Sequence, residues 1–204
     1  MKNYSKYTAH PWHGIVPQDK NNTLNAFIEI VPTDTVKYEI DKESGFLRLD
    51  RPQKFSNIIH ALYGFIPQTY CAEEIAKYCM EKTGKTNIVG DGDPLDICVL
   101  TDKIIRNSNV IVPAIPIGGF RMIDHGEADD KIIAVLYNDD VYQWKDLRQA
   151  PQGLIDRLMH YFITYKKHPE DDANNSPVEI THTYGAEEAR EIIKASIKDY
   201  KNHF

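Results

Sequence analysis

Apolar and polar residues alternate along much of the first two-thirds of the chain. The alternation from Leu24 to Val31 predicts a strand, and after Pro32-Thr33-Asp34 the run Val36-Lys37-Tyr38-Glu39-Ile40 alternates again. A period of two puts Val36, Tyr38 and Ile40 on one face and leaves Lys37 and Glu39 together on the other. Lys42-Glu43-Ser44-Gly45 has turn composition, and Phe46 to Arg51 resumes as a strand that Pro52 stops. The resulting hairpin brings Arg51 near the polar face of the preceding strand. Further strands are predicted at Leu95 to Leu100, Val110 to Ile117, Gly119 to Asp124 and Lys131 to Leu136, with Pro113 and Pro116 marking an edge or a bulge.

Helical spacing appears in three places. Ala72, Ile75, Ala76 and Cys79 predict a short helix over Ala72 to Lys82 that Gly84 ends. Leu154, Ile155, Leu158, Met159 and Phe162 predict a second, opened by Pro151. Ala189, Ile192, Ile193 and Ile197 mark the inward face of a third, from Ala186 to Tyr200. Strands first and helices late predict an α+β fold, mainly β: a closed or partly open β-barrel with flanking helices. Neither an internal repeat nor a low-complexity tract divides the 204 residues, so a single domain over 1–204 is expected.

Composition narrows the class. Hydrophobic residues at 42% and charged residues at 26% are globular values that exclude a disordered or collagen-like chain. A net charge of −6 has the wrong sign for a generic nucleic-acid surface. No apolar run approaches the ~20 residues of a membrane span, and no apolar stretch of the kind a secretory leader carries follows Met1 to Tyr7, so a cytoplasmic location is expected. Cys71, Cys79 and Cys98 form no Cys-x-x-Cys pair and imply neither a disulfide framework nor a zinc knuckle. Cys98, inside Ile97-Cys98-Val99-Leu100, reads as a core thiol.

The chemistry is concentrated in Gly90-Asp91-Gly92-Asp93-Pro94-Leu95-Asp96, directly before a predicted strand. In an extended stretch Asp91 and Asp93 point the same way, and Pro94 lets Asp96 rejoin them in a hard-oxygen pocket suited to Mg²⁺ or Mn²⁺. A solvated acidic turn is the competing reading. A calcium EF-hand fits poorly, because its third carboxylate falls at Leu95 and its glycine at Asp96. A second acidic group, Asp124, Asp129 and Asp130, closes on Lys131. Were the two groups to share a barrel rim, they could hold two or more divalent ions. Lys37, Arg51, Lys131 and Lys166, with Tyr63 and Tyr165, would then suit a polyanionic phosphate. A non-catalytic metal-binding module, or a phosphatase acting on esters, accounts for parts of the same set. His10-Pro11-Trp12-His13 lacks a third ligand and reads as a structural segment.

With these residues in view, the sequence resembles the soluble inorganic pyrophosphatases of family I, of the prokaryotic type. The Asp-Gly-Asp-Pro-hydrophobic-Asp string at Asp91 to Asp96 is similar to that family's signature. Similarity continues through Ile28-Glu29-Ile30, Lys37 to Gly45, Asp50-Arg51, Tyr63-Gly64-Phe65, Asp124 through Lys131, and Tyr165-Lys166. The resemblance implies Mg²⁺-dependent hydrolysis of pyrophosphate to two orthophosphates by a metal-bound hydroxide, on a closed barrel of the oligonucleotide-binding type that here binds no nucleic acid. It implies that Asp91, Asp96, Asp124, Asp129 and Glu39 hold Mg²⁺, with Mn²⁺ a substitute, and that Asp93 accepts the proton of the attacking water. It further implies that Lys37, Arg51, Tyr63, Tyr165 and Lys166 bind the phosphoryl groups, that Glu29 and Lys131 support catalysis, and that the chain forms a homo-oligomer, a hexamer. Two departures stand out: Ile59-His60-Ala61-Leu62 replaces the family's Tyr-Pro-x-Asn before Tyr63-Gly64, and the predicted Ala72 to Lys82 helix lengthens the chain before Asp91.

Overall fold

The computed structural model describes residues 9–19, 23–167 and 178–204. Met1 to Tyr7, considered above as a leader, lie outside the described residues. Among the described residues, ten strands and three α-helices follow one another as β1 (Leu24–Ile30), β2 (Val36–Ile40), β3 (Leu47–Pro52), β4 (Leu62–Phe65), α1 (Glu73–Thr83), β5 (Val89–Gly90), β6 (Asp96–Leu100), β7 (Val110–Asp124), β8 (Glu127–Ala128), β9 (Lys131–Leu136), α2 (Gln152–Thr164), β10 (Val178–Gly185) and α3 (Ala186–His203). The fold is mixed α+β and mainly β, as expected from the order of the patterns.

Eight strands share one sheet, and the β2–β3 hairpin forms a separate sheet of two. The order β1-β4-β6-β9-β7 runs through neighbouring pairs, and β1 also pairs antiparallel with β7, with Leu24 opposite Ala114 and Ile28 opposite Val110. Both faces of β1 are covered: Leu24, Ala26 and Ile28 pack into one apolar cluster, and Phe27, on the opposite face, packs with Trp12, Ile40 and Phe65 beneath the hairpin. All of its residues but Asn25 are buried, which corrects the alternation expected of Leu24 to Val31. The two strands expected at Val110 to Ile117 and Gly119 to Asp124 are one 15-residue strand. A register shift between Pro116 and Gly118 against β9 accommodates the missing amide of Pro116 within it. Pro113 lies opposite Asn25 within the paired strand and marks no edge. Strands β4 and β10 were absent from the sequence expectation, the first being only four residues long and the second rich in polar residues.

Two registers place the chemistry. Parallel pairing of β6 with β9 sets Asp96 beside Lys131, and antiparallel pairing of β4 with β6 sets Phe65 against Asp96. In the hairpin, Lys37 lies opposite Arg51 and Glu39 opposite Arg48, as the polar-face pattern anticipates. Helix α1 occurs where the Ala72 to Lys82 periodicity puts it and buries Ile75, Ala76 and Cys79. Its N-terminus is capped from a distance: the Asp199 carboxylate of α3 accepts from the amides of Ala72 (2.9 Å), Glu74 (3.0 Å) and Ile75 (3.1 Å). A small apolar cluster of Trp12, Phe27, Ile40 and Phe65 seats the hairpin against β1 and β4. Trp12 Nε1 donates to the Thr69 carbonyl at 2.8 Å, so the His10 to His13 segment is structural. Cys98 is fully buried, as read from its apolar run. No helix among the described residues is long and apolar enough to cross a membrane.

Candidate active site

The acidic stretches, far apart in sequence, meet in one cleft of about 180 Å³. Glu29 comes from β1, Lys37 and Glu39 from β2, Tyr63 from β4, and Asp91 and Asp93 from the turn before β6, which itself supplies Asp96. Asp124 ends β7, Asp129 precedes β9, Lys131 opens β9, and Tyr165 and Lys166 follow α2. Twelve of the thirteen residues expected at the site line this cleft. Arg51 does not; its guanidinium carbon stands 6.0 Å from the centre of the Tyr165 ring, and its nitrogen pairs with Asp50. Lys42 and Glu127 also line the cleft, and the sequence reading passed over both. Both fall inside stretches similar to the family, Lys37 to Gly45 and Asp124 through Lys131, but a turn position gives a side chain no direction that sequence can fix.

The turn from Asp91 to Asp93 is not extended, as the sequence reading had it. Gly92 adopts φ +71°, in the left-handed region that side chains other than glycine's rarely enter, and the Asp93 amide folds back to donate to Asp91 Oδ1 at 2.9 Å. Both carboxylates still reach the cleft, through a tight turn in place of a strand. Asp130 leaves the acidic group altogether. It lies in the core, where Arg121 Nε donates to both of its oxygens at 2.9 Å.

Lysines hold the carboxylates in place. Lys131, almost fully buried, donates to both Asp96 and Asp129, and Tyr63 Oη donates to Asp96 Oδ2 at 2.5 Å. Lys166 pairs with Asp124, and Lys37 Nζ donates to Glu39 Oε2 at 2.9 Å and stands 3.4 Å from Asp50. Burial disfavours the Lys131 ammonium, yet the charges of Asp129 and Asp96 outweigh it and hold the group well above the usual lysine range. Burial likewise opposes Lys37 and Asp124, and their ion-paired partners Glu39 and Lys166 again prevail, raising the lysine and lowering the aspartate. Burial wins elsewhere. It pushes Glu29 up to about 8, against the Ile40 amide that donates to Glu29 Oε1 at 2.6 Å. Asp91 is pushed up to about 9 by burial and then by the nearby charge of Asp129.

Eight carboxylates line the cleft (Glu29, Glu39, Asp91, Asp93, Asp96, Asp124, Glu127 and Asp129) against four lysines. Among the described residues no three carboxylates are gathered closely enough to enclose a metal ion, because ammonium groups stand between them. The donor set is nonetheless all hard oxygen, and its excess of negative charge is of the kind Mg²⁺ or Mn²⁺ relieves. The residues fit divalent cations.

A mainly β fold carries a cleft whose carboxylates and lysines have the chemistry to meet hard cations and a multiply charged anion. Residues 26–201 match the family model described as inorganic pyrophosphatase. The inorganic pyrophosphatase of Chlamydia caviae is 51% identical over 199 residues, covering 96% of this chain and 92% of the relative, and that of Chlamydia muridarum is 49% identical over 200 residues, covering 96% of each. Among solved structures, the inorganic pyrophosphatase of Thermus thermophilus superposes with a TM-score of 0.75 at 28% identity, over 95% of this chain and 99% of the other. The chain belongs to the inorganic pyrophosphatase family, a family of hydrolases.

Proposed function

We propose that this protein hydrolyses inorganic pyrophosphate to two orthophosphates with Mg²⁺, acting as a cytoplasmic homo-oligomer, a hexamer, that engages neither membrane nor nucleic acid. Its 204 residues form one domain, and the return of the strand pairings from β7 to β1 supports a closed barrel of the oligonucleotide-binding type. The observation that carries the activity is the convergence of Asp91, Asp93, Asp96, Asp124 and Asp129 on one cleft that lysines also line.

Asp91, Asp96, Asp124, Asp129 and Glu39 would hold the Mg²⁺ ions, with Mn²⁺ a substitute. Ions held there would supply a water of lowered pKa and positive charge for the phosphoryl oxygens. Asp93 accepts the proton of the attacking water as the P–O bond to the bridging oxygen breaks in line. Lys37, Tyr63, Tyr165 and Lys166 take the phosphoryl oxygens and meet the charge that builds on the leaving phosphate, and Arg51, beside the Tyr165 ring but outside the cleft wall, joins them by turning away from Asp50. Lys131 keeps Asp96 and Asp129 in place, and Glu29 ties the hairpin to β1 through the Ile40 amide. Phosphate release from pyrophosphate should require Mg²⁺ and stop on chelation, while a phosphate monoester is left largely uncleaved. Undiminished release with a chelator, or preferential ester cleavage, would refute the reading.

A further inference from the structure

Lys42 lies outside the set that the sequence brought forward, yet it spans the mouth of the cleft. It sits in the β2–β3 turn and lines the cleft. Its Nζ donates to the Gly92 carbonyl at 3.1 Å and pairs with the Asp93 carboxylate. Among the other charged hairpin groups, Lys37, Glu39, Asp50 and Arg51 pair within the hairpin, as do Asp41 and Arg48. The hairpin itself has no ladder bonds to the main sheet.

The far side of this link is rigid. Gly92 N donates to the Cys71 carbonyl at 3.0 Å, and Cys71 N donates to the Asp93 carbonyl at 2.9 Å, so the acidic turn is tied to the chain leading into α1. The Asp93 amide is held by Asp91 Oδ1. What the backbone leaves free is the Asp93 side chain, about half exposed, and Lys42 is the cation that reaches it. On the hairpin side the turn is backed by the N-terminal segment: a Cβ added to Gly45, itself at φ +73°, would lie 2.7 Å from His10 Cδ2.

We propose that Lys42 is a positioning residue that fixes the Asp93 carboxylate toward the reacting water and latches the hairpin across the cleft to the acidic turn. The proposal rests on Asp93 accepting the proton of that water. A half-exposed pair adds little to stability, so its value lies in orientation. Orientation of a proton acceptor affects the rate step more than ground-state binding.

The test is a cycle of Lys42→Met, Lys42→Arg, Asp93→Asn and Lys42→Met with Asp93→Asn, read by steady-state phosphate release with Mg²⁺ and by hydrogen exchange on the metal-free protein. Lys42→Met is expected to lower kcat about tenfold with KM and Tm nearly unchanged, and Lys42→Arg to recover most of the loss. In the Asp93→Asn background the same change should cost nothing further. Exchange at the Asp41 and Gly45 amides, which close the hairpin turn, should quicken in the metal-free Lys42→Met protein. A rise in KM at constant kcat would make Lys42 a phosphate ligand and overturn the proposal, as would a full further loss on top of Asp93→Asn. Unchanged kcat and exchange would also end it. Near-native turnover of Asp93→Asn alone would remove the underlying reading of Asp93 instead, and exchange would then decide whether the latch exists.

Discussion

Lys131 carries two carboxylates on one buried ammonium, Asp96 from the neighbouring strand and Asp129 from two residues upstream. Replacing it by Met should leave two acids crowded without a cation and cost the metal-free protein about 3 kcal/mol or more, measured by urea denaturation. Added Mg²⁺ should return part of that loss, since it neutralises the same oxygens. Asp93 is of another kind: its side chain is about half exposed and pairs with Lys42, while its amide donates to Asp91 Oδ1. Asp93→Asn should preserve the melting curve and lower turnover by about a hundredfold or more; a near-native rate would exclude its role as proton acceptor. Away from the cleft, Asp139 accepts from Thr101 Oγ1 at 2.6 Å and from the Val141 and Tyr142 amides at 2.8 Å each. Although burial opposes it, these bonds lower its pKa to about 2. A depressed acid contributes stability that is complete above its unfolded pKa near 4 and fades as pH falls toward 2. Asp139→Asn should therefore remove about 2 kcal/mol at neutral pH, with the difference from the parent shrinking in acid.

At the scale of elements, α1 shows how a helix can depend on residues far along the chain. Ala72 caps nothing with its side chain, and the amides of Ala72, Glu74 and Ile75 donate to Asp199, which is fully buried in α3. Asp199→Ala should leave those donors unmet and cost about 2 kcal/mol or more by chemical denaturation, with α1 amides exchanging faster than those of β7. The hairpin is likewise anchored by others: Glu29 on the Ile40 amide, and Trp12 in the apolar cluster beneath it. The N-terminal histidines belong to this bracing, with His13 Nδ1 2.7 Å from the Tyr200 hydroxyl.

At the scale of the whole molecule, the surplus of carboxylate in one cleft should couple the proposed metal binding to stability. Chelation should lower Tm as well as abolish activity, and titrating Mg²⁺ back should raise Tm by an amount that grows logarithmically with its concentration. Light scattering on the purified protein should report a hexamer; a monomer would remove that part of the proposal. An assembly of this kind has to accommodate Phe46, Leu49 and Phe55, exposed around the hairpin.

Local pattern alone determined most of the elements. The alternation in Val36 to Ile40, the turn at Lys42 to Gly45 and the helical spacing of Ile75, Ile155 and Ile192 are properties of neighbours in sequence, and the folded chain keeps them. The dense Asp91 to Asp96 string was equally plain, since so many acids beside a strand are chemically conspicuous before any folding. Tertiary structure decided what depends on partners distant in the chain. The cluster of Trp12, Ile40 and Phe65 packed over Phe27 and buried a face of β1 that alternation would have exposed, and a register shift let β7 run through Pro116. Asp130 and Asp129 are adjacent in sequence, yet one was drawn to Arg121 in the core and the other to Lys131 in the cleft. Charge pairing is set by distance in space, and successive side chains on an extended segment point to opposite sides. Which acids line the cleft, and that Lys42 reaches Asp93 across the gap, therefore emerged only once the strands had paired.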